Sequence, residues 1–485
     1  MKKFKYLLVG FLAVSLFGSC KKFLTVTPKT QLPQNVIFST DGGFKDALTG
    51  VYIQLKSNDI YGQALTQTTI EQLISNWDVT ANTTEQRLGL FNFADDGVLS
   101  RFRSIWRQEY KVISSINAIL GQIDVNKDVF TSNPDLYNMI KSECLALRAY
   151  CHFDILRMFG PVPTDLTNAP NLPYALTLSN SPQPQVAFDA FKAYLLKDLE
   201  EAEALIKDKD PIQKYTLAQL RNPGISSGFN PLDNFIAYRY LRMNYYAIKA
   251  LQARAYLWFG DNDKAYQSAK EVIEAKNSDG GNKFRLGTAT DMSVTTKDFV
   301  LSNEQVFGLY AYNLNDLYTS SYASGTLKKG TAATTVTNTL YGNTGTDIRE
   351  SNMWELITLA NASKAYIIRK YMSDKNPSIS SDFKQIPMLR LSEMYLIAAE
   401  AAPYAEGAEY FKTFRTSRNI GNMPVPADPA LLKAEIIKEY RKEFYAEGQA
   451  FFTYKRLNSA KTAIIFAPAA AVLNYIAPIP KEEII

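Results

Sequence analysis

Asn76-Trp77-Asp78 sets an amide, a flat indole face and a carboxylate side by side, and Arg87 adds a guanidinium in the same polar stretch. A pyranose ring has an apolar C–H face and a polar rim. Such groups suit stacking on the ring and hydrogen bonding to its edge. A second stretch, 313–350, is rich in Ser, Thr, Gly and Asn; it carries Tyr318, Tyr322 and Tyr341, and Trp354 follows it. These eight residues are the candidate ligand contacts. The alternative for Trp77 and Trp354 is that they are ordinary core anchors, and it stays open. Trp106 and Trp258 lie on apolar helix stripes and are assigned to the core.

Catalytic signatures are absent from the sequence. There is no phosphate loop, dinucleotide fingerprint or paired-Cys motif. His152 is the only His. It lies beside the inward stripe of a helix, which reads as a satisfied core imidazole. One His makes neither a zinc set nor an evident Ser-His-Asp triad. Glu200-Glu201-Glu203 reads as a solvated helix face. Glu439, Glu443 and Glu447 are i, i+4 neighbours interleaved with Arg441 and Lys442, which reads as a packing salt network. Paired carboxylates for glycoside hydrolysis are a matter of spatial separation, which spacing in the chain does not give. No catalytic residue, metal or cofactor is therefore assigned.

The elements that must position the candidates are helical. Ile248, Leu251, Ala255 and Trp258 form one stripe, Gly260 stops the helix, and Asp261-Asn262-Asp263 opens a second one with Ala265, Ala269, Val272 and Ile273 inward. So short a loop makes an antiparallel hairpin of tetratricopeptide type, with a period of about 34 residues. One hairpin cannot bury both faces, so copies are expected along the chain. Helices are predicted over 43–55, 101–123, 135–159, 185–207, 389–402, 404–418 and 431–457, with one strand at 305–312. The expected fold is mainly α, with little β: a scaffold of hairpins covered by irregular excursions near 57–100 and 277–388.

The N-terminus has the order of a lipoprotein signal. Lys2, Lys3 and Lys5 precede an apolar run, Tyr6–Phe17, that is too short for a membrane span, and Gly18-Ser19 precede Cys20. Residues 1–19 read as the signal peptide, Cys20 as the acylation site, and 20–485 as one domain. The alternative is plain secretion with an unmodified Cys20. Loss of three lysines from 53 basic residues leaves 50 against 48 acidic ones, so there is no electrostatic case for nucleic acid. Cys144 and Cys151, seven apart on a helix, lie about 10.5 Å apart along its axis, beyond disulfide reach, and read as buried thiols.

Taken in order, several segments resemble the SusD/RagB family of outer-membrane nutrient-binding lipoproteins. They are the stretch from Cys20 to Gln31; Ala47, Gly50 and Tyr52; Trp106, Tyr110, Ile113 and Asn117; Leu147-Arg148-Ala149-Tyr150 with Phe159-Gly160; and Ala250–Ile273. Asp347 and Arg349, Leu389 to Glu393, and Glu439, Arg441, Glu443, Glu447 and Arg456 complete the series. The resemblance covers almost the whole chain. It implies a SusD-like fold, a lipid anchor in the outer membrane facing the cell exterior, capture of oligosaccharide or polysaccharide, and delivery to a TonB-dependent, SusC-like transporter. In relatives, loops from the two excursions meet over the scaffold and form a shallow glycan site. The alternatives are a peptide-capturing relative, a lipid-anchored glycan hydrolase, and a repeat scaffold that binds only protein.

Overall fold

The computed structural model describes residues 34–167, 169–293, 295–373 and 384–483. The expected signal peptide and Cys20 lie outside these residues. Among the described residues, four packed helix pairs follow one another, the first two joined by long excursions and the last two by short turns. Helix α1 (Asp41–Leu55) packs on α2 (Asp96–Ile123), and α3 (Pro134–Phe159) on α4 (Phe188–Ile206). Likewise α5 (Tyr245–Trp258) packs on α6 (Asn262–Ile273), and α7 (Leu391–Ala401) on α8 (Tyr404–Ser417). Successive hairpins stack through α2 on α3 and α6 on α7. Helices α9 (Pro429–Glu443) and α10 (Gln449–Arg456) close the series.

The helix starts are set locally. Thr40, Asp95, Asn133, Asn244, Asp261 and Asp428 each accept a backbone N–H of the first turn through the side chain. Each such cap contributes about 1 kcal/mol. Gly260 ends α5 with φ +78°, a left-handed value that a glycine adopts without penalty. Helix α3 is buried on every side from Ser142 to Phe159 apart from its capped ends, so it runs through the centre of the helical layer. Charge also ties the hairpins: Arg254 of α5 grips Glu393 of α7 with Nε–Oε1 2.6 Å and Nη2–Oε2 2.7 Å.

The single helix expected over 431–457 is two helices. Between them Ala446 and Gly448 take φ of 64° and 77°. A Cβ on Gly448 would lie 2.1 Å from the Leu65 carbonyl oxygen, so this close approach requires glycine. The carbonyls released by the break are used: Lys370 Nζ donates to Glu443 and Tyr445, and the Tyr371 hydroxyl donates to Ala446.

The strands are few. Strand β1 (Gln305–Tyr310) pairs antiparallel with β4 (Gln385–Arg390), and β2 (Trp354–Thr358) with β3 (Lys364–Ile368). The 313–350 stretch, expected to be irregular, contains short helical turns at Leu314–Tyr318, Thr334–Thr339 and Ile348–Asn352.

The motif carboxylates do form a packing network. Glu443 accepts from Arg349 at 3.1 Å, from Arg390 at 2.8 Å and from Arg418 at 2.7 Å. Arg349 also holds Asp347 and Glu439, and Arg390 holds Glu304 and Glu447. All are buried. The three guanidinium groups pull the Glu443 carboxyl well below the usual carboxylate range against the cost of its burial.

Candidate functional site

The two excursions meet, and Asp78 sits at the meeting point. Its backbone N–H donates to the Lys328 carbonyl at 2.9 Å; its carboxylate accepts from Gly330 N–H at 2.6 Å and lies 3.3 Å from Lys329 Nζ. Below this junction the predicted aromatic residues share one cluster. The Trp77 ring meets Tyr322 at 5.8 Å and Tyr445 at 5.2 Å, edge to face. Trp354 meets the same Tyr445 at 5.0 Å and donates its indole N–H to the Tyr341 hydroxyl at 3.2 Å. Tyr318 stacks on Tyr322.

The rings are sealed, which corrects the expectation of open stacking faces. Trp77 is 3% exposed, Trp354 4% and Tyr322 fully buried; Tyr318 and Tyr341 are buried too. Trp77 donates its indole N–H to the Gln67 carbonyl at 2.7 Å, and Tyr322 donates to the Gln67 side chain at 2.9 Å. Long excursions need a core of their own, and these residues supply it. Asn76 is buried as well, donating to Glu71, whose carboxyl burial pushes up to about 7. Arg87 pairs with Asp95 at 3.2 Å. Of the eight residues only Asp78 and Arg87 keep substantial exposure, and both are already engaged within the chain.

An open aromatic cleft lies elsewhere, between α1, the 234–242 segment and the end of β1. Its volume is about 400 Å³, within the range of small-ligand clefts. Thr49, Tyr52, Ile53 and Lys56 line one wall; their spacing puts them on one face of α1. Phe235, Tyr238 and Arg242 line the second wall, and Tyr310 completes the third. Tyr238 is 44% exposed and Tyr310 38%. Tyr238 takes a left-handed backbone conformation, φ 57° and ψ 30°. That costs a residue with a Cβ about 1–2 kcal/mol, and the outlier marks a position held by its surroundings.

The floor of the cleft is set by Glu143 of α3. It accepts from the Tyr52 hydroxyl, from Arg239 and from Arg242 Nε at 3.0 Å. Arg239 is also held by Asp210 at 2.8 Å. The Arg242 guanidinium is thereby pinned between two rings, 3.9 Å from the centroid of Phe235 and 4.9 Å from that of Tyr52. Burial and the Glu143 charge hold the Tyr52 phenol neutral, far above its ordinary range. The cleft thus presents aromatic rings, an amide at Asn234 and the hydroxyl of Thr49, which donates to the Lys45 carbonyl. Sequence reasoning missed it. The signal was available: Phe235, Tyr238 and Tyr240 interleave with Arg239 and Arg242 in an irregular segment after Pro231, as Trp77 does with its polar neighbours.

Two family models match the chain, one described as starch-binding associating with outer membrane, over residues 22–217, and the SusD family, over 250–475. Two SusD-like proteins of Formosa agariphila are similar to it. P2 is 23% identical across 100% of this chain and 98% of that protein; P25 is 24% identical over 168 residues, 32% of this chain and only 29% of that protein. A SusD superfamily structure from Bacteroides thetaiotaomicron superposes with TM-score 0.66 at 20% identity, covering 92% of this chain and 97% of that one. A laminarin-binding SusD-like protein superposes with TM-score 0.61 at 17% identity, covering 92% and 97%. At these identities the structural likeness speaks for the fold. With the two models spanning both halves of the sequence and the motif residues building its buried network, the chain belongs to the SusD/RagB family.

Proposed function

We propose that this chain is a cell-surface lipoprotein that captures oligosaccharide and passes it to a TonB-dependent outer-membrane transporter. The observation that carries the capture step is the open cleft with Tyr238 and Tyr310 exposed at its walls and Phe235 and Tyr52 behind Arg242. Exposed aromatic rings beside a cleft can stack on the apolar faces of sugar rings. A few stacking contacts give modest affinity, and modest affinity suits release to a second protein.

The reading is of binding rather than catalysis. Glycoside hydrolysis uses two carboxylates flanking the bond, and the lining residues of the cleft include no Asp or Glu. Anchoring rests on the order of residues before Cys20. Several acyl chains would hold the protein stably at a membrane, and no helix among the described residues is long and apolar enough to cross one. The transporter partner follows from the family resemblance alone.

Isothermal titration against laminarin oligomers, other glycans and unrelated peptides tests the capture step. Heat with a glycan that is lost in Tyr238→Ala supports it. Heat with peptides and none with any glycan moves the chain to the peptide-capturing reading.

A further inference from the structure

The cleft has a charge character that the family resemblance does not supply. Its lining includes two cations, Lys56 and Arg242, and no carboxylate. Glu143 lies beneath the lining, and its oxygens are taken by Tyr52, Arg239 and Arg242. Arg242 keeps its buried Nη2 without a hydrogen-bond partner. Lys56, the C-cap residue of α1, is half-buried at the edge of the cleft. Among the described residues no carboxylate pairs with its ammonium, and burial alone pushes its pKa down. Other part-buried or buried cations have partners within the chain: Lys45 is matched by Asp233, Lys249 by Glu203 and Glu271, and Arg285 by Asp291, while Lys283 and Lys455 donate to backbone carbonyls. A half-buried ammonium with no anion beside it can take an anionic group from outside the chain.

We infer that the cleft bounded by Tyr52, Lys56, Phe235, Tyr238, Arg242 and Tyr310 takes an acidic oligosaccharide, a pyranose carrying an anionic group. The inference rests on the reading of the chain as a glycan-binding protein and narrows its ligand. The ring faces of Tyr238 and Tyr310 would carry the apolar side of the sugar. Its anionic substituent would lie against Lys56, the lining cation that no carboxylate offsets. Carboxylate and sulfate share this chemistry.

Titration of the mature chain with hexagalacturonate, a sulfated carrageenan hexaose and neutral laminarihexaose decides the matter. The expected result is that one anionic hexamer binds at least tenfold more tightly than the neutral one; which of the two it is identifies carboxylate or sulfate. That preference should shrink between 50 and 300 mM salt, because the Debye length falls from about 14 Å to about 6 Å. Lys56→Met should cut the anionic-to-neutral affinity ratio about fivefold or more. Neutral hexamer binding as tightly as the acidic ones overturns the inference and leaves the glycan reading standing. An anionic preference that Lys56→Met does not change overturns this placement of the charge. Binding of none of the three overturns the inference, and the wider glycan and peptide panel then decides the glycan reading separately.

Discussion

Trp77→Ala separates a scaffold residue from a ligand contact. Burying an indole removes about 150–250 Å² from water, worth about 4–6 kcal/mol at 25 cal/mol per Å². Large-to-small changes of buried Trp cost about 3–5 kcal/mol, and the Gln67 carbonyl would lose the indole N–H that it accepts at 2.7 Å. The ring also fills the space between Tyr322 and Tyr445. A loss of about 4–6 kcal/mol is therefore expected. Urea unfolding followed by circular dichroism measures it, since the signal does not depend on the deleted indole. Trp77→Phe, which keeps a ring and loses the hydrogen bond, should lose about 1–3 kcal/mol and provides a milder variant that folds. Glycan affinity of Trp77→Phe should match that of the parent. An unchanged unfolding midpoint together with a tenfold loss of glycan affinity would refute the assignment of Trp77 to the core and restore it to the binding surface.

The buried network and the lone imidazole give further tests. Glu443→Gln leaves Arg349, Arg390 and Arg418 without their common carboxylate and should destabilise by about 3–5 kcal/mol in the same urea assay; a change under 1 kcal/mol would contradict the network's role. Arg349 and Lys442 hold Glu439 down to about 2 despite its burial, so its contribution is present above the ordinary carboxylate value of 4.5 and disappears as pH falls toward 2. The lost stability is about 3 kcal/mol, and acid unfolding that is unaffected by Glu439→Gln would argue otherwise. His152 is stacked on Tyr174 at 3.8 Å, accepts the Ala175 N–H at 2.9 Å, and is held by burial at about 3 against an ordinary 6.5. Its single imidazole resonance should not titrate between pH 5 and 8, and stability should fall as pH drops from 6.5 toward 3; a midpoint near 6.5 would place the ring in water. Cys144 and Cys151 are buried free thiols whose pKa values burial raises, so mass mapping after native alkylation should find neither labelled.

The helical layer was legible because periodicity reports burial directly. The stripe through Ile248, Leu251, Ala255 and Trp258 is buried as read, and the turn at Gly260-Asp261 falls where capping chemistry puts it. Spacing also suggested that Glu439, Glu443 and Glu447 form a network with the interleaved Arg441 and Lys442; Lys442 does pair with Glu439, but the guanidinium groups come from distant Arg349, Arg390 and Arg418, which spacing could not show. It did not show the break before Gly448, where the backbone passes close to the distant Leu65 carbonyl. The aromatic contacts were harder. Asn76-Trp77-Asp78 has the composition of a sugar platform, but composition cannot tell a ring that faces water from one that seals a loop. Tyr322 and Tyr445, far away in sequence, decide that for Trp77. Tyr238 and Tyr310 were passed over because their wall of the cleft closes only when α1 lies beside them.

The most direct test of the capture site is a crystal structure of the chain with a bound oligosaccharide. A sugar ring should lie against Tyr238 and Tyr310, with Phe235 and Arg242 alongside. A sugar seated on the Asp78–Gly330 junction instead, with the cleft empty, would contradict that placement.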